Sequence, residues 1–248
     1  MSLIKYSVLI LLLLSFASDV NAKDDRPAEI EILQPGVKLS VVAEHPDIAT
    51  PTGVDVDDKG RVWAVSCHTH LPPKDYQGPK QDEILIFDPD GTRHVFYAAT
   101  EQTMDLELGP DGWVYLSERD RILRVRDSDG DGKGNVEETL VELVSEAVYP
   151  HNALSGLAWA PNGDLVFGLG ENFAKAWTLK AKDGSAIKGV DRGGVFRLSA
   201  VGSDLRKVAE GLWNPFGVTV RADGEIFVAE NDAQVKKCFE YCNKALNS

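Results

Sequence analysis

Three observations in this sequence predict an all-β fold, a β-propeller of four-stranded blades. One pattern recurs four times: apolar alternation, a polar turn ending in glycine, then apolar alternation again. Its turn glycines, Gly60, Gly112, Gly163 and Gly224, stand 52, 51 and 61 residues apart. A second hairpin follows each of the first three copies, with no helical periodicity between them. Alternation of period two buries one face of a strand, and glycine supplies the positive φ that a tight hairpin turn demands. Two hairpins per ~50 residues make four strands per unit, and units repeated at that period are blades. An unlinked β-sandwich would not repeat in register.

The first unit begins with Gly53-Val-Asp-Val-Asp-Asp-Lys-Gly60-Arg-Val-Trp63 and continues with a hairpin over Ile84–Phe96 around Asp88-Pro-Asp-Gly91. The second pairs Met104–Tyr115 with a hairpin over Ile122–Leu143 around Asp127–Gly134. The third pairs Gly156–Phe167 with Val195–Val208, turning at Gly202-Ser-Asp204. The fourth, Gly217–Phe227, has no second hairpin before Asp232. Val42-Ala-Glu44 ahead of Pro51-Thr-Gly-Val54 echoes Val208-Ala-Glu210 ahead of Pro215-Phe-Gly-Val218, which marks the first copy as an outer strand that closes a ring. The expectation is a partial propeller over residues 23–232, with three full blades, half of a fourth and a closing strand. Residues 233–248 read as an unrelated tail, and a frameshift near Asp232 would account for it. A ring left open exposes unpaired sheet edges, so a truncated chain is expected to aggregate.

Residues 1–22 read as a signal peptide: Lys5, the apolar run Val8–Leu14, then Val20-Asn21-Ala22 as a cleavage pattern. That run is shorter than the ~20 residues a membrane-spanning helix needs. The expected mature chain starts near Lys23, has no membrane span, and is exported to the periplasm or the medium. With 39 acidic against 26 basic residues and a net charge of −13, it lacks the basic face that nucleic acid or an anionic membrane surface requires. Its 3 cysteines are too few for a disulfide scaffold.

In a four-stranded blade the hairpin turns lie on one face of the disc, and the links between hairpins and between blades lie on the other. Sorted this way, the link face receives His68, His70, Glu118, Arg119, His151, Asn152, Glu171, Asn172, Trp213, Asn214 and Glu230. A propeller's channel mouth collects loops from every blade, so this face is the expected site. His68 and His70, two apart in an extended loop, lie on one side and can share a metal; Glu118 is the candidate third ligand. The long segment from Glu171 to Gly194 is expected as a wall or lid over the channel. On the opposite face, Asp127, Asp129, Asp131, Lys133 (through its backbone carbonyl), Asn135 and Glu138 match the oxygen-ligand spacing of a calcium loop. Strands rather than helices flank it, so calcium is expected there as a structural ligand. Cys238-Phe-Glu-Tyr-Cys242 fits neither a haem attachment motif nor a zinc pair.

Gly60-Arg-Val-Trp-Ala-Val, Ile122-Leu-Arg-Val-Arg-Asp-Ser-Asp-Gly-Asp-Gly-Lys, Phe167-Gly-Leu-Gly-Glu-Asn172 and Trp213-Asn-Pro-Phe-Gly-Val218 resemble the amino-terminal propeller of the planctomycete-type membrane-bound dehydrogenases. More distantly the chain is similar to the soluble quinoprotein glucose/sorbosone dehydrogenases. The resemblance spans Val37 to Asp232 and implies a six-bladed ring, pyrroloquinoline quinone at the channel mouth, a sugar or alcohol substrate and a downstream electron acceptor. It implies His151 as general base on the substrate hydroxyl, with Asn214, Trp213, Asn152, Glu171 and Asn172 around the cofactor. Two departures stand out. His151 precedes Ser155-Gly156 at a longer spacing than that family shows, and Trp213 replaces an arginine, removing a charge-assisted donor to the quinone. The alternative is a non-redox propeller: a metal-dependent, lactonase-like hydrolase on His68, His70 and Glu118, or a carbohydrate- or protein-binding platform.

Overall fold

The computed structural model describes residues 32–147 and 154–231. The chain divides into two units, residues 1–40 and 41–248. Residues 32–40 of the first contain no strand. The described part of the second is built from antiparallel strands, and it is a β-propeller.

The first blade is β1 (Pro51–Val56), β2 (Val62–Ser66), β3 (Asp82–Phe87) and β4 (Arg93–Thr100), hydrogen-bonded in that order. The second is β5 (Thr103–Leu108), β6 (Val114–Glu118), β7 (Arg121–Arg126) and β8 (Val136–Ser145). The third begins with β9 (Leu154–Trp159) and β10 (Asp164–Leu169), leaves the blade for β11 (Ala176–Ala181) and β12 (Ala186–Val190), then returns with β13 (Gly193–Ser199) and β14 (Arg206–Leu212). A two-stranded sheet of β15 (Pro215–Val220) and β16 (Ile226–Glu230) follows. Every hairpin expected from the repeat is present. The four inner turns close alike: Gly60, Gly112, Gly163 and Gly224 have φ of 75°, 80°, 84° and 90°. Each donates its N–H to the carbonyl three residues back, at 2.8–3.1 Å. A side chain at those φ values would be strained, which is why the repeat ends its turns in glycine.

The core lies between the blades. Trp63, Phe96, Met104, Leu106 and Leu116 pack the first against the second. Tyr115, Leu140, Leu157, Phe167 and Phe196 pack the second against the third. Val166 and Val195 meet Val218 and Ile226 of the last hairpin. Blades so stacked are buried on both faces, and this is why middle strands such as Val114-Tyr-Leu-Ser-Glu118 are buried throughout. Inner strands are also stitched to each other by polar groups. Thr52 Oγ1 donates to the Thr103 carbonyl at 2.7 Å, and Ser155 Oγ to the Pro215 carbonyl at 3.0 Å. Asp55 accepts from the Leu108 N–H at 2.9 Å, and Asp105 from the Leu157 N–H at 2.8 Å. Gly53, which heads the repeat, lets β1 approach β5: a Cβ there would stand 2.6 Å from the Leu106 nitrogen.

Two expectations are corrected. Val42–Glu44 is not a strand; Ala43 and Ile48 instead lie on the face of the first blade, against Ala64, Leu85 and Phe87. The Glu171–Gly194 segment is not a lid over the channel. Its hairpin β11–β12 pairs with β8 (Trp177 opposite Ser145, Ala181 opposite Val141), extending the preceding blade to six strands at its outer rim. Trp177 is buried there, its indole N–H donating to the Arg192 carbonyl at 3.0 Å. Among the described residues no helix is long and apolar enough to cross a membrane.

Candidate functional site on the link face

Backbone strain singles out the link face. Seven described non-glycine residues have positive φ, and all but Asp204 lie in links between hairpins or blades: Thr50, Leu71, Gln102, Phe173, Ala174 and Asp191. Such conformations are held only where surrounding structure over-determines them, and they gather at ligand-binding edges.

One buried polar cluster on this face joins the third blade to the last hairpin. The Glu171 N–H donates to the Trp213 carbonyl at 2.5 Å, and the Asn172 N–H to the Asp191 carbonyl at 2.6 Å. The Trp213 N–H in turn donates to Glu230 Oε1, and the Asn231 N–H to the Asn214 carbonyl at 3.0 Å. Three links and the end of β16 are thereby held together by backbone bonds. The polar side chains they carry are sequestered: Asn172 is 0% exposed, Asn214 5% and Glu171 6%. Asn172 Nδ2 donates to the Gly170 carbonyl at 3.0 Å, whereas Asn172 Oδ1 is buried without a partner. A buried acceptor left unmade costs about 1–3 kcal/mol. Phe173 meets the Trp213 ring edge-on at 6.2 Å, and the Arg192 guanidinium lies 4.5 Å above that ring's centroid. The site is a buried amide and carboxylate floor beside an aromatic wall.

Of the sequence-predicted residues, Glu171, Asn172, Trp213 and Asn214 therefore converge. His151 and Asn152 lie outside the described residues. Arg192 was absent from the prediction; it lies in the segment that stretches the repeat to 61 residues, and only the return of the β11–β12 hairpin carries it to Trp213.

The expected metal set His68, His70 and Glu118 does not assemble. His68 is buried, its Nε2 3.0 Å from Ser66 Oγ and 3.5 Å from Glu83 Oε2, with Nδ1 against the Tyr76 hydroxyl. Glu118 is engaged by Arg121 and by the Glu101 N–H at 3.1 Å. Burial pushes the Glu118 carboxyl above its usual range against the opposing pull of Arg121. Among the described residues the one group of three or more candidate metal-ligating side chains within 4.8 Å of one another is Asp127, Asp129 and Asp131. It lies in the β7–β8 turn on the opposite face. Backbone N–H groups of Gly132, Gly130 and Asp129 hold the Asp127 carboxyl below its ordinary range. Asn135 Oδ1 accepts from the Ser128 N–H at 2.9 Å, and the Lys133 N–H donates to Asp131 at 2.8 Å. Glu138 stands apart from this group: its Oε2 accepts from Arg124 Nη2 at 2.9 Å and Lys182 Nζ at 2.8 Å. Pairing of β7 with β8 sets Glu138 opposite Arg124, which corrects its assignment as the loop's last ligand.

Fold and site together define a β-propeller with a polar, aromatic-walled cluster on its link face. The chain matches, over residues 26–246, the family described as Domain of unknown function (DUF7133), and it belongs to that family. No curated protein matches it by sequence. Among solved structures it is similar to a Thermus thermophilus protein described as an oxidoreductase (glucose dehydrogenase), at 17% identity and a TM-score of 0.51, covering 75% of this chain and 59% of that one. A second glucose dehydrogenase structure is matched at 17% identity and a TM-score of 0.49, over 75% of this chain and 58% of the other. A Xanthomonas campestris gluconolactonase is matched at 17% identity and a TM-score of 0.45, over 73% and 56%. The chain thus spans less than two thirds of each of these structures. At such identity the Thermus likeness bears on the fold alone.

Proposed function

We propose that the link-face cluster binds a sugar or related polyol for oxidation of one hydroxyl, as in the dehydrogenase-like propellers the sequence resembles. The observation that carries this is the convergence of Glu171, Asn172, Trp213 and Asn214, with the buried Asn172 Oδ1 awaiting a donor. Asn172 Oδ1 would accept a substrate hydroxyl, Asn214 would orient the group beside it, and Trp213 would lie against the sugar's apolar face. His151, in the link between β8 and β9, is the proposed general base, an imidazole being suited to proton removal near neutral pH. Asn214 supplies a donor that fits a quinone, beside Trp213, Asn152, Glu171 and Asn172. When bound, pyrroloquinoline quinone provides the hydride acceptor, and a downstream carrier would reoxidise it. An exported, periplasmic or secreted location suits such a reaction. The lactonase-like hydrolase is the alternative reading; on His68 and Glu118 it would require a metal to displace their contacts with Ser66, Tyr76 and Arg121.

Dye-linked oxidation of sugars with added quinone tests the proposal. Asn214→Ala and His151→Ala should each lower the rate by about 100-fold with little loss of fold. Full activity in both variants, or lactone hydrolysis abolished by removing a metal, would overturn it.

The Asp127–Asp131 turn is proposed as a calcium site of structural role. Three carboxylates within 4.8 Å repel one another until a hard cation neutralises them. Chelation should lower the melting temperature by ~5–10 °C relative to calcium at about 100 times its dissociation constant. Asp129→Ala should melt like the chelated protein and ignore added calcium. Identical melts with and without chelator would remove the site.

A further inference from the structure

The geometry points to Arg192 as the group that makes this site select a carboxylate-bearing polyol, an aldonic or uronic acid, over a neutral sugar; the inference rests on the link-face reading above. The Arg192 guanidinium lies over the Trp213 ring, 4.5 Å from its centroid. Its nearest carboxylate, Asp191 Oδ2, is 3.8 Å away, beyond hydrogen-bonding distance. Asp191 Oδ1 accepts from the Ala174 N–H at 2.7 Å, which holds that carboxylate on the loop. No hydrogen bond of the Arg192 side chain is formed among the described residues, and the side chain is 44% exposed. Five N–H donors in a rigid fork match a planar carboxylate, and a stacked guanidinium loses less freedom in binding one than a free side chain would.

Position on the loop gives the ligand its second half. Arg192 adjoins Asp191, whose carbonyl takes the Asn172 N–H, and it stacks on Trp213, whose carbonyl takes the Glu171 N–H. One end of the site therefore offers a cation and the other offers acceptors, the buried Asn172 Oδ1 among them. A carboxylate matches the first end and hydroxyl donors match the second. Two other acidic groups lie nearby: Glu230 accepts the Trp213 N–H, so its charge is partly compensated by backbone, and Glu171 is buried in the floor of the site, away from the exposed Arg192 side chain. A polyhydroxylated acid satisfies both ends at once; a neutral sugar satisfies only the hydroxyl end.

Calorimetric titration of the intact chain with D-glucuronate and D-glucose, without turnover, tests this. Wild type should bind glucuronate at least tenfold more tightly than glucose. Arg192→Gln should erase that preference and leave glucose affinity within twofold, with an unchanged melt, and Arg192→Lys should restore part of it. Equal binding of the two sugars, or a preference surviving Arg192→Gln, would overturn the assignment of Arg192. If glucose still binds and Asn172→Ala weakens it, the polyol site itself stands. Binding of neither sugar would overturn both. A parallel titration with pyrroloquinoline quinone separates the two sources of carboxylate. If Arg192→Gln weakens the quinone and leaves glucuronate untouched, the charge serves a cofactor and the substrate assignment is wrong.

Discussion

Asp82→Ala should cost about 3–5 kcal/mol of stability, the range expected when a buried carboxylate with several donors is removed. Asp82 is fully buried at the start of β3. Its Oδ1 accepts from the His68 N–H at 2.7 Å, the Thr69 N–H at 2.9 Å and Thr69 Oγ1 at 2.9 Å. Its Oδ2 accepts from the Thr103 N–H at 2.8 Å and faces the Cys67 thiol at 3.5 Å. One side chain thus joins the link after β2 to the first residue of β5, in the next blade. Removing it strands the backbone N–H groups of His68, Thr69 and Thr103, two of them buried. Asp82→Asn keeps one oxygen but turns an amide against the remaining donors, and should cost about 2 kcal/mol. Urea unfolding of both variants measures this, and a loss below about 1 kcal/mol in Asp82→Ala would show that the blades hold together without the bridge.

Glu107→Gln should stabilise the protein at alkaline pH and leave it nearly unchanged at acid pH, below the ordinary glutamate value. Glu107 lies on β5, and burial, then the neighbouring Asp55 and Asp105 carboxylates, push its pKa from an ordinary 4.5 up to about 8. Below the unfolded value both states carry the proton and nothing is lost. Between 4.5 and about 8 the folded state retains a proton that the unfolded state releases, so stability falls as pH rises. Asp105, raised to about 6 by burial first, adds to the lower part of that window despite the opposing N–H groups of Leu157 and Leu106. Glutamine has no proton to lose, so the variant should gain on the order of 3 kcal/mol at about pH 9 relative to wild type. Paired urea titrations at about pH 4 and pH 9, either side of the window, decide it. A gain of the same size at the acid end would mean that charge on Glu107 is not the cause.

What the sequence determined by itself was whatever depends on neighbours in the chain. Gly60, Gly112, Gly163 and Gly224 marked four turns that the structure places at φ of 75–90°, because the positive φ of a tight turn is a constraint on one residue's own backbone. Strand order within β1–β4 and β5–β8 followed, since short connections favour pairing of strands consecutive in the chain. The grouping of Glu171–Asn172 with Trp213–Asn214 was also legible, as chain direction alone sends both links to one face.

Tertiary structure decided the partners of strands and side chains across large separations. The alternation in Ala176–Ala181 is visible in the sequence, yet its pairing with β8 of the preceding blade depends on which open edge lies nearby. Glu138 has the right spacing for a calcium loop. Its carboxylate is instead claimed by Arg124 across the β7–β8 ladder and by Lys182 from the docked hairpin. His68 and His70 have the spacing of paired ligands, but Ser66, Tyr76 and Glu83 surround His68 instead. Arg192 and Trp213 meet only because the hairpin leaves one blade, docks on another and returns. Short-range sterics set backbone conformation residue by residue, whereas the direction and partner of a side chain are fixed by packing between segments whose separation no local pattern encodes.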